Sequence, residues 1–323
     1  MSHFVRHISG EIMSTFLSTL GQIGYLFLII IVGFIFAKAC KLPDKSTAVL
    51  SRLESTIFMP SLIISNFMSN FTVSRLQSAW KFFLAGSIII AVSLPAAYFV
   101  SRFTASDKYT RKIHLYSLAF ANFGFMGTAV VSGLYPELFT DYLILVTPFW
   151  ILNYGWSVSA LLLPSEAKKG KYDAVKRICN PMFVGMIIGI ILGITSVSLP
   201  PFVTSTLGGL SNCMSPVAML ITGMTVASIN IKSTLKDVRI YILTFIRLLV
   251  IPLIFLGVCI ALPIDKNVAL CGLCALSMPL GLNTVVIPGA YGKDTSHAAG
   301  MAIVSHLLSA LTIPLMITLY FML

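Results

Sequence analysis

TAVVSGLY (Thr128 to Tyr135) and TVVIPGAY (Thr284 to Tyr291) are two versions of one segment, separated by 156 residues in a chain of 323. Thr, Val, Gly and Tyr coincide in order. The same shift lays Gly33 on Gly189 and Pro60 on Pro216, so matches fall in three separate places at one offset close to half the chain. The sequence therefore reads as two halves of similar design.

Both segments lie inside long apolar runs, and such runs recur along the whole chain. The hydrophobic fraction is 57% and the charged fraction only 10%, against about a quarter charged in a soluble domain. The solvent for most of the chain is lipid. Breaks at charged or Pro/Gly-rich points delimit ten spans, near 16–37, 47–68, 80–101, 113–135, 141–163, 181–199, 202–229, 240–262, 268–291 and 296–322. Each approaches the length that crosses a hydrocarbon core of about 30 Å. Five spans per half is odd, so the second copy enters the membrane from the opposite side, an architecture of secondary transporters. The expected units are a first repeat over 1–163, a cytoplasmic linker over 164–180 and a second, inverted repeat over 181–323.

Charge fixes the orientation. Sixteen Lys and Arg occupy one set of alternate loops (Lys38, Lys41, Lys45; Arg102, Lys108, Arg111, Lys112; Lys168, Lys169, Lys171, Lys176, Arg177; Lys232, Lys236, Arg239; Lys293), and the other set holds Arg6, Arg75, Lys81 and Lys266. Positive loops stay cytoplasmic, which puts both termini outside a multi-pass cell-membrane protein. The net charge of +11 is thereby absorbed by topology, and nucleic-acid binding is not indicated. The first apolar run is too long for a signal-peptide core and lacks a small-residue cleavage pattern, so it reads as a retained span.

Six cysteines (Cys40, Cys179, Cys213, Cys259, Cys271, Cys274) lie mostly within apolar runs, where neither a disulfide framework nor a zinc site is expected. Cys271 and Cys274 form a C-x-x-C without a second pair, which reads as packing. No metal site, cofactor motif or catalytic signature appears in a fitting context, so an enzyme is not expected.

The fourth span contains ANFGFMGTAVVSG, with Asn122, Gly124 and Gly127, and the ninth contains SMPLGLNTVVIPGAYG, with Pro279, Gly281 and Asn283. Pro removes a backbone donor and Gly tolerates unusual dihedrals, so both spans are expected to break within the membrane. Broken backbone at that depth must face protein or a polar cavity. The two asparagines offer amide groups there, and freed N–H groups at half-helix starts suit an anion. The alternative is that these residues only ease helix packing and kink the spans.

Three ionisable residues inside spans are the remaining candidates. Glu54, ahead of Pro60, titrates in proton coupling or neutralises basic Arg52 near the interface. Arg247, ahead of Pro252, pairs with a substrate carboxylate or snorkels to the cytoplasmic end. His306, with Ser305, Ser309 and Thr312 nearby, relays protons or touches solute, or is a hydrogen-bonded packing histidine.

The whole chain resembles the auxin efflux carrier family, including its bacterial malate or malonate permease-like members. The likeness is most specific in NFGFMG, in PLGLNTVVIPGAYGKD and in AIVSHLLSALTIPL of the last span. It implies an all-α integral membrane fold of ten transmembrane helices as two inverted five-helix repeats, with broken, crossing fourth and ninth helices, a scaffold part and a mobile transport part. By position Asn122, Gly127, Pro279 and Asn283 match residues lining that family's substrate site. Ala129 stands where the family commonly has proline, and His306 replaces a usually small polar residue. The expectation is a secondary carrier of small organic anions, embedded in the bilayer and using no cofactor, with homodimer assembly open. A sodium-coupled bile-acid-type symporter and a solute-sensing receptor that binds without transporting are the alternatives.

Overall fold

A computed structural model describes residues 17, 20–21, 24–25, 27–40, 42–43, 46–163, 180–228 and 234–322. Expectations for the start of the first span, the linker over 164–179 with its five basic residues, and Cys179 lie outside the described residues. The described residues are helical, with no named strand. Six helices are long and apolar enough to cross a membrane: α2 (Ser46–Asn70), α4 (Trp80–Thr104), α7 (Pro136–Leu162), α9 (Pro201–Ser228), α10 (Val238–Ala261) and α13 (Ser296–Met322). Three shorter apolar helices join them, α1 (Phe27–Ala39), α8 (Pro181–Thr195) and α11 (Lys266–Leu276). The rest are α3 (Val73–Ser78), α5 (Lys108–Ala119), α6 (Thr128–Leu134) and α12 (Asn283–Ala290).

Polarity is arranged inside out. Ile88, Val92, Phe99 and Phe103 on α4, and Leu307, Leu311 and Leu315 on α13, are exposed, while His114, Asn122, Asn153, Arg247 and His306 are buried. Apolar stripes at helical spacing on the outer surface belong against lipid chains, which satisfy them as water would not.

The fourth and ninth spans are not continuous helices. α5 stops at Ala119, and a π-helical turn (Phe123–Gly127) leads into α6. α11 stops at Leu276, and α12 begins only at Asn283. The fourth span thus departs from helix over three residues and the ninth over six. The two departures meet: Ala121 and Leu280 form an antiparallel bridge, and the Asn122 N–H donates to the Pro279 carbonyl at 2.8 Å. Backbone groups stranded by one break are satisfied by the other.

Further wide turns occur at Glu54–Phe58 in α2, Ile246–Val250 in α10 and Asn153–Leu162 in α7. The first two end just ahead of Pro60 and Pro252. A proline ring crowds the carbonyl four residues earlier and leaves it without a donor, and widening the preceding turn relieves both problems.

One end of the bundle carries a polar cluster on the last turn of α4, the middle of α5 and the starts of α10 and α13. Thr104 Oγ1 lies 3.0 Å from His114 Nδ1, His114 Nε2 is 2.9 Å from His297 Nε2, and His297 Nδ1 is 3.2 Å from Asp237. Asp237 also caps α10 and pairs with Arg239 at 2.6 Å, whose hydrogen bonds hold its carboxyl down at about 2. Tyr109 donates to the Asp294 carbonyl at 3.0 Å, so the basic loops around 102–112, 236–239 and 293 come to the same end.

α4 lies against α7 and α5, and α2 against α8 and α9. At Gly86 the α4 backbone approaches α7 so closely that a Cβ would fall on the Leu145 carbonyl oxygen. Nothing lies within 4 Å of a Cβ at Gly257. Gly86→Val is therefore expected to weaken the purified protein by roughly 1–3 kcal/mol, read as earlier thermal loss of the monodisperse peak, with Gly257→Val unchanged. Equal behaviour of the two variants would contradict this packing.

Candidate functional site

The meeting of the two breaks encloses a cavity of about 20 Å³, the scale of a single water position. Asn122, Phe123 and Gly124 line it from one break and Gly281, Leu282 and Asn283 from the other. Tyr116, Phe120 and Ala121 at the end of α5, Leu62, Ile63 and Asn66 of α2, and Trp150, Asn153 and Tyr154 of α7 complete the wall. The first N–H groups of a helix have no partner within it, and residues of both helix starts line this cavity. Two helix starts therefore point positive partial charge at one small space.

The close approach has a local cause. A Cβ at Gly281 would sit 2.7 Å from the Phe120 carbonyl oxygen, so only glycine lets the ninth-span break lie on the fourth. Gly127 is close-packed for another reason, since a side chain there would run into the Tyr142 hydroxyl. Tyr142 donates to the Phe123 carbonyl at 2.8 Å and so steadies the π turn.

Hydrogen bonding fixes how the asparagines point. His306 Nδ1 lies 2.7 Å from the Ala302 carbonyl, an acceptor only, so Nδ1 carries the proton and Nε2 accepts in the neutral ring. Asn122 must then present its amide nitrogen to Nε2, at 2.9 Å, leaving Oδ1 without a partner. Asn283 donates to the Tyr116 hydroxyl at 2.7 Å, and its Oδ1 is likewise unpartnered. Asn153 Oδ1 makes a third. The site thus combines backbone donors at two helix starts with three side-chain carbonyl oxygens, a set suited to a small solute bearing both acceptors and donors.

The residues picked out from the sequence divide into three groups. Asn122, Gly124, Gly281 and Asn283 line the cavity. Gly127 and Pro279 stand behind it, Pro279 through the carbonyl that accepts from Asn122. The charged candidates are elsewhere. His306 touches Asn122 from behind. Arg247 gives its guanidinium to the carbonyls of Leu118, Ala275 and Met278, each at 3.1 Å. It is 2% exposed, which corrects the snorkelling alternative, and with its donors on backbone it does not face a solute. Glu54 is buried on the wide turn of α2, with neither oxygen bonded. Arg52 is exposed on a different face, so the expected neutralisation does not occur.

Tyr116, Asn153, Tyr154 and Asn66 were not singled out from the sequence. Their signal was present as Asn and Tyr in otherwise apolar stretches, where each needs a partner, but lone polar residues do not declare which face they take. Asn122 and Asn283 also occupy different registers, six residues before Thr128 and one before Thr284, so the two breaks contribute unequal chemistry.

The comparisons agree with a transport protein. A family model described as membrane transport protein, that of the auxin efflux carriers, matches residues 19–174 and again 168–317. No curated protein matches the chain.

Removing one partner of a buried hydrogen bond leaves the other desolvated and unsatisfied, at about 1–3 kcal/mol. Asn122→Ala should lower the unfolding temperature of the purified protein, and so should His306→Phe. The double variant should lose less than the two losses added, by roughly 0.5–3 kcal/mol. Strict additivity would show that the bond does not hold the break.

Proposed function

Because the chain belongs to the auxin efflux carrier family of membrane transport proteins, we propose that it is a secondary carrier of small organic anions such as carboxylates, working by alternating access at the crossing of its two broken spans. The observation that carries this reading is the cavity walled by two helix starts, because a carboxylate there accepts from backbone N–H groups that nothing else in the helices can use. The water-sized volume adds that any organic solute requires the surrounding helices to move.

The fold behind the reading is ten spans in two inverted five-helix repeats, 1–163 and 181–323, with a cytoplasmic linker over 164–180 and both termini outside the cell membrane. Packing supports it. A Cβ at Gly33 would lie 2.9 Å from the Leu220 Cα, and one at Gly189 would lie 3.1 Å from the Ile64 Cα. Shifting by 156 residues turns the first pair into the second with the partners exchanged, the signature of a two-fold relation. α1, α2, α8 and α9 then form the scaffold, and the crossing helices with α4, α7, α10 and α13 the moving part.

The test is uptake by proteoliposomes of a labelled carboxylate panel. Flux is expected for at least one member, and none for any member with folded protein would remove the anion assignment. Replacing sodium by choline is expected to leave the rate unchanged, and a collapse would favour the symporter. Binding without counterflow would favour a receptor.

Proton coupling through Glu54 is a second reading, favoured by its surroundings. Its turn packs against α8, α9, α12 and the rest of α2. Among the described residues, Arg52 is the one basic side chain on these elements. A buried carboxylate charge with no partner is expensive, so the group suits a proton taken on when α12 lies against it and released when it is exposed. Acceleration of uptake by an imposed pH gradient, lost in Glu54→Gln while uptake itself persists, is the expected result. Indifference of both proteins to the gradient would dismiss it.

A further inference from the structure

Four helix ends converge on the crossing. α5 and α11 finish there and present C-terminal carbonyls, while the π turn before α6 and the start of α12 present N–H groups. A helix end carries about half an elementary charge, negative at the C-terminus and positive at the N-terminus. Two ends of each sign cancel in net charge, so in a crossing built of helices alone the pull of the two helix starts on an anion is opposed by the two C-terminal ends beside them.

Arg247 removes that balance. From the wide turn of α10 its Nη1 donates to the Leu118 carbonyl in the last turn of α5, its Nη2 to the Ala275 carbonyl in the last turn of α11, and its Nε to the Met278 carbonyl just beyond. Among the described residues no carboxylate lies within ion-pairing distance of it. A full positive charge is thus set against two C-terminal ends that together amount to about one negative unit. The two N-terminal ends stay uncompensated, and residues of both line the cavity, beside Phe120 and Ala121 at the end of α5 whose C-terminal charge Arg247 offsets.

We propose that Arg247 determines the charge selectivity of the crossing: it is a fixed internal countercharge that makes the cavity an anion site by neutralising the C-terminal ends of both half-helices, without touching the solute. The inference rests on the carrier reading above. It has a second consequence, because three converging carbonyl oxygens are also what a small hard cation would bind. The guanidinium fills that place, so the anion needs no bound cation beside it. Arg247 is a positioning residue in this account, and charge discrimination is the property that a purely structural role would leave alone.

The experiment uses full-length protein in proteoliposomes, with labelled malonate and succinate as probes and each acid competed against its neutral diamide. For the wild type each acid is expected to compete at least about tenfold better than its diamide, a difference of about 1.4 kcal/mol. Arg247→Lys, which keeps the charge with fewer bonds, should retain the preference at a lower rate. Arg247→Gln should bring acid and diamide within about threefold of each other. A preference kept in Arg247→Gln overturns the proposal and leaves the carrier reading standing. If no acid is taken up or competes in the wild type, the carrier reading falls and takes this one with it. Should Arg247→Gln not elute as a single species, the wild type and Arg247→Lys decide in choline medium. A preference that persists without sodium supports the proposal, and one that vanishes shows that a bound cation supplies the charge and overturns it.

Discussion

The structure depends on how it satisfies the backbone at two interrupted helices. Each interruption strands carbonyls at one helix end and N–H groups at the next, and in a lipid-facing bundle no water is available to take them. Here the interruptions are laid on each other. Asn122 N–H meets the Pro279 carbonyl, Ala121 pairs with Leu280, and Arg247 gathers three of the remaining carbonyls. What is left over is the pair of helix starts and three unpartnered asparagine oxygens, and their residues line the one small cavity at the crossing. The location of a polar site in an apolar fold is therefore a by-product of the bookkeeping of hydrogen bonds.

Wide helical turns supply the side chains that this arrangement needs. Glu54, Asn153 and Arg247 each lie in a π-helical segment, and the turn after Asn122 is another. A π turn rotates the following residues relative to an α-helix and opens a gap in the ladder, so a polar residue can point inward on a helix whose other faces are apolar. For Glu54 and Arg247 the widening is placed by a proline a few residues on. Proline in these spans thus acts at a distance of about one turn, setting the direction of a charged neighbour.

This also explains what could be read in the sequence and what could not. The apolar runs and the glycine and proline of the fourth and ninth spans were legible because length and backbone freedom are local properties. Gly281 and Asn122 could be named as site residues on that basis. Arg247 was legible as an oddity but not as a cap, since its acceptors are 28 to 129 residues away and are backbone atoms with no side-chain signature. Glu54 is legible as a charge within a span but not by its role, since of proton coupling and neutralisation of Arg52 the second fails only because Glu54 is buried on the wide turn while Arg52 is exposed. Tyr116 and Asn153 were missed because a hydroxyl or amide in a span shows its direction only when its partner is known.

The cavity holds a water-sized volume, and its wall is drawn from both parts of the bundle: Asn66 belongs to α2, whereas Asn122 and Asn283 belong to the crossing. Enlarging it by spreading the crossing itself would break the Ala121–Leu280 bridge and pull the carbonyls away from Arg247, exposing several polar groups at once. Enlarging it by moving the crossing as a unit past α2 and α9 breaks none of those bonds. The surfaces that would slide carry small residues, with Gly289 of α12 facing Ser51 of α2, and α12 lies directly against that helix. Of the two ways to admit a solute, rigid displacement leaves the hydrogen bonds of the crossing intact. The more strongly the crossing is tied together, the more any opening must come from its boundary with α2.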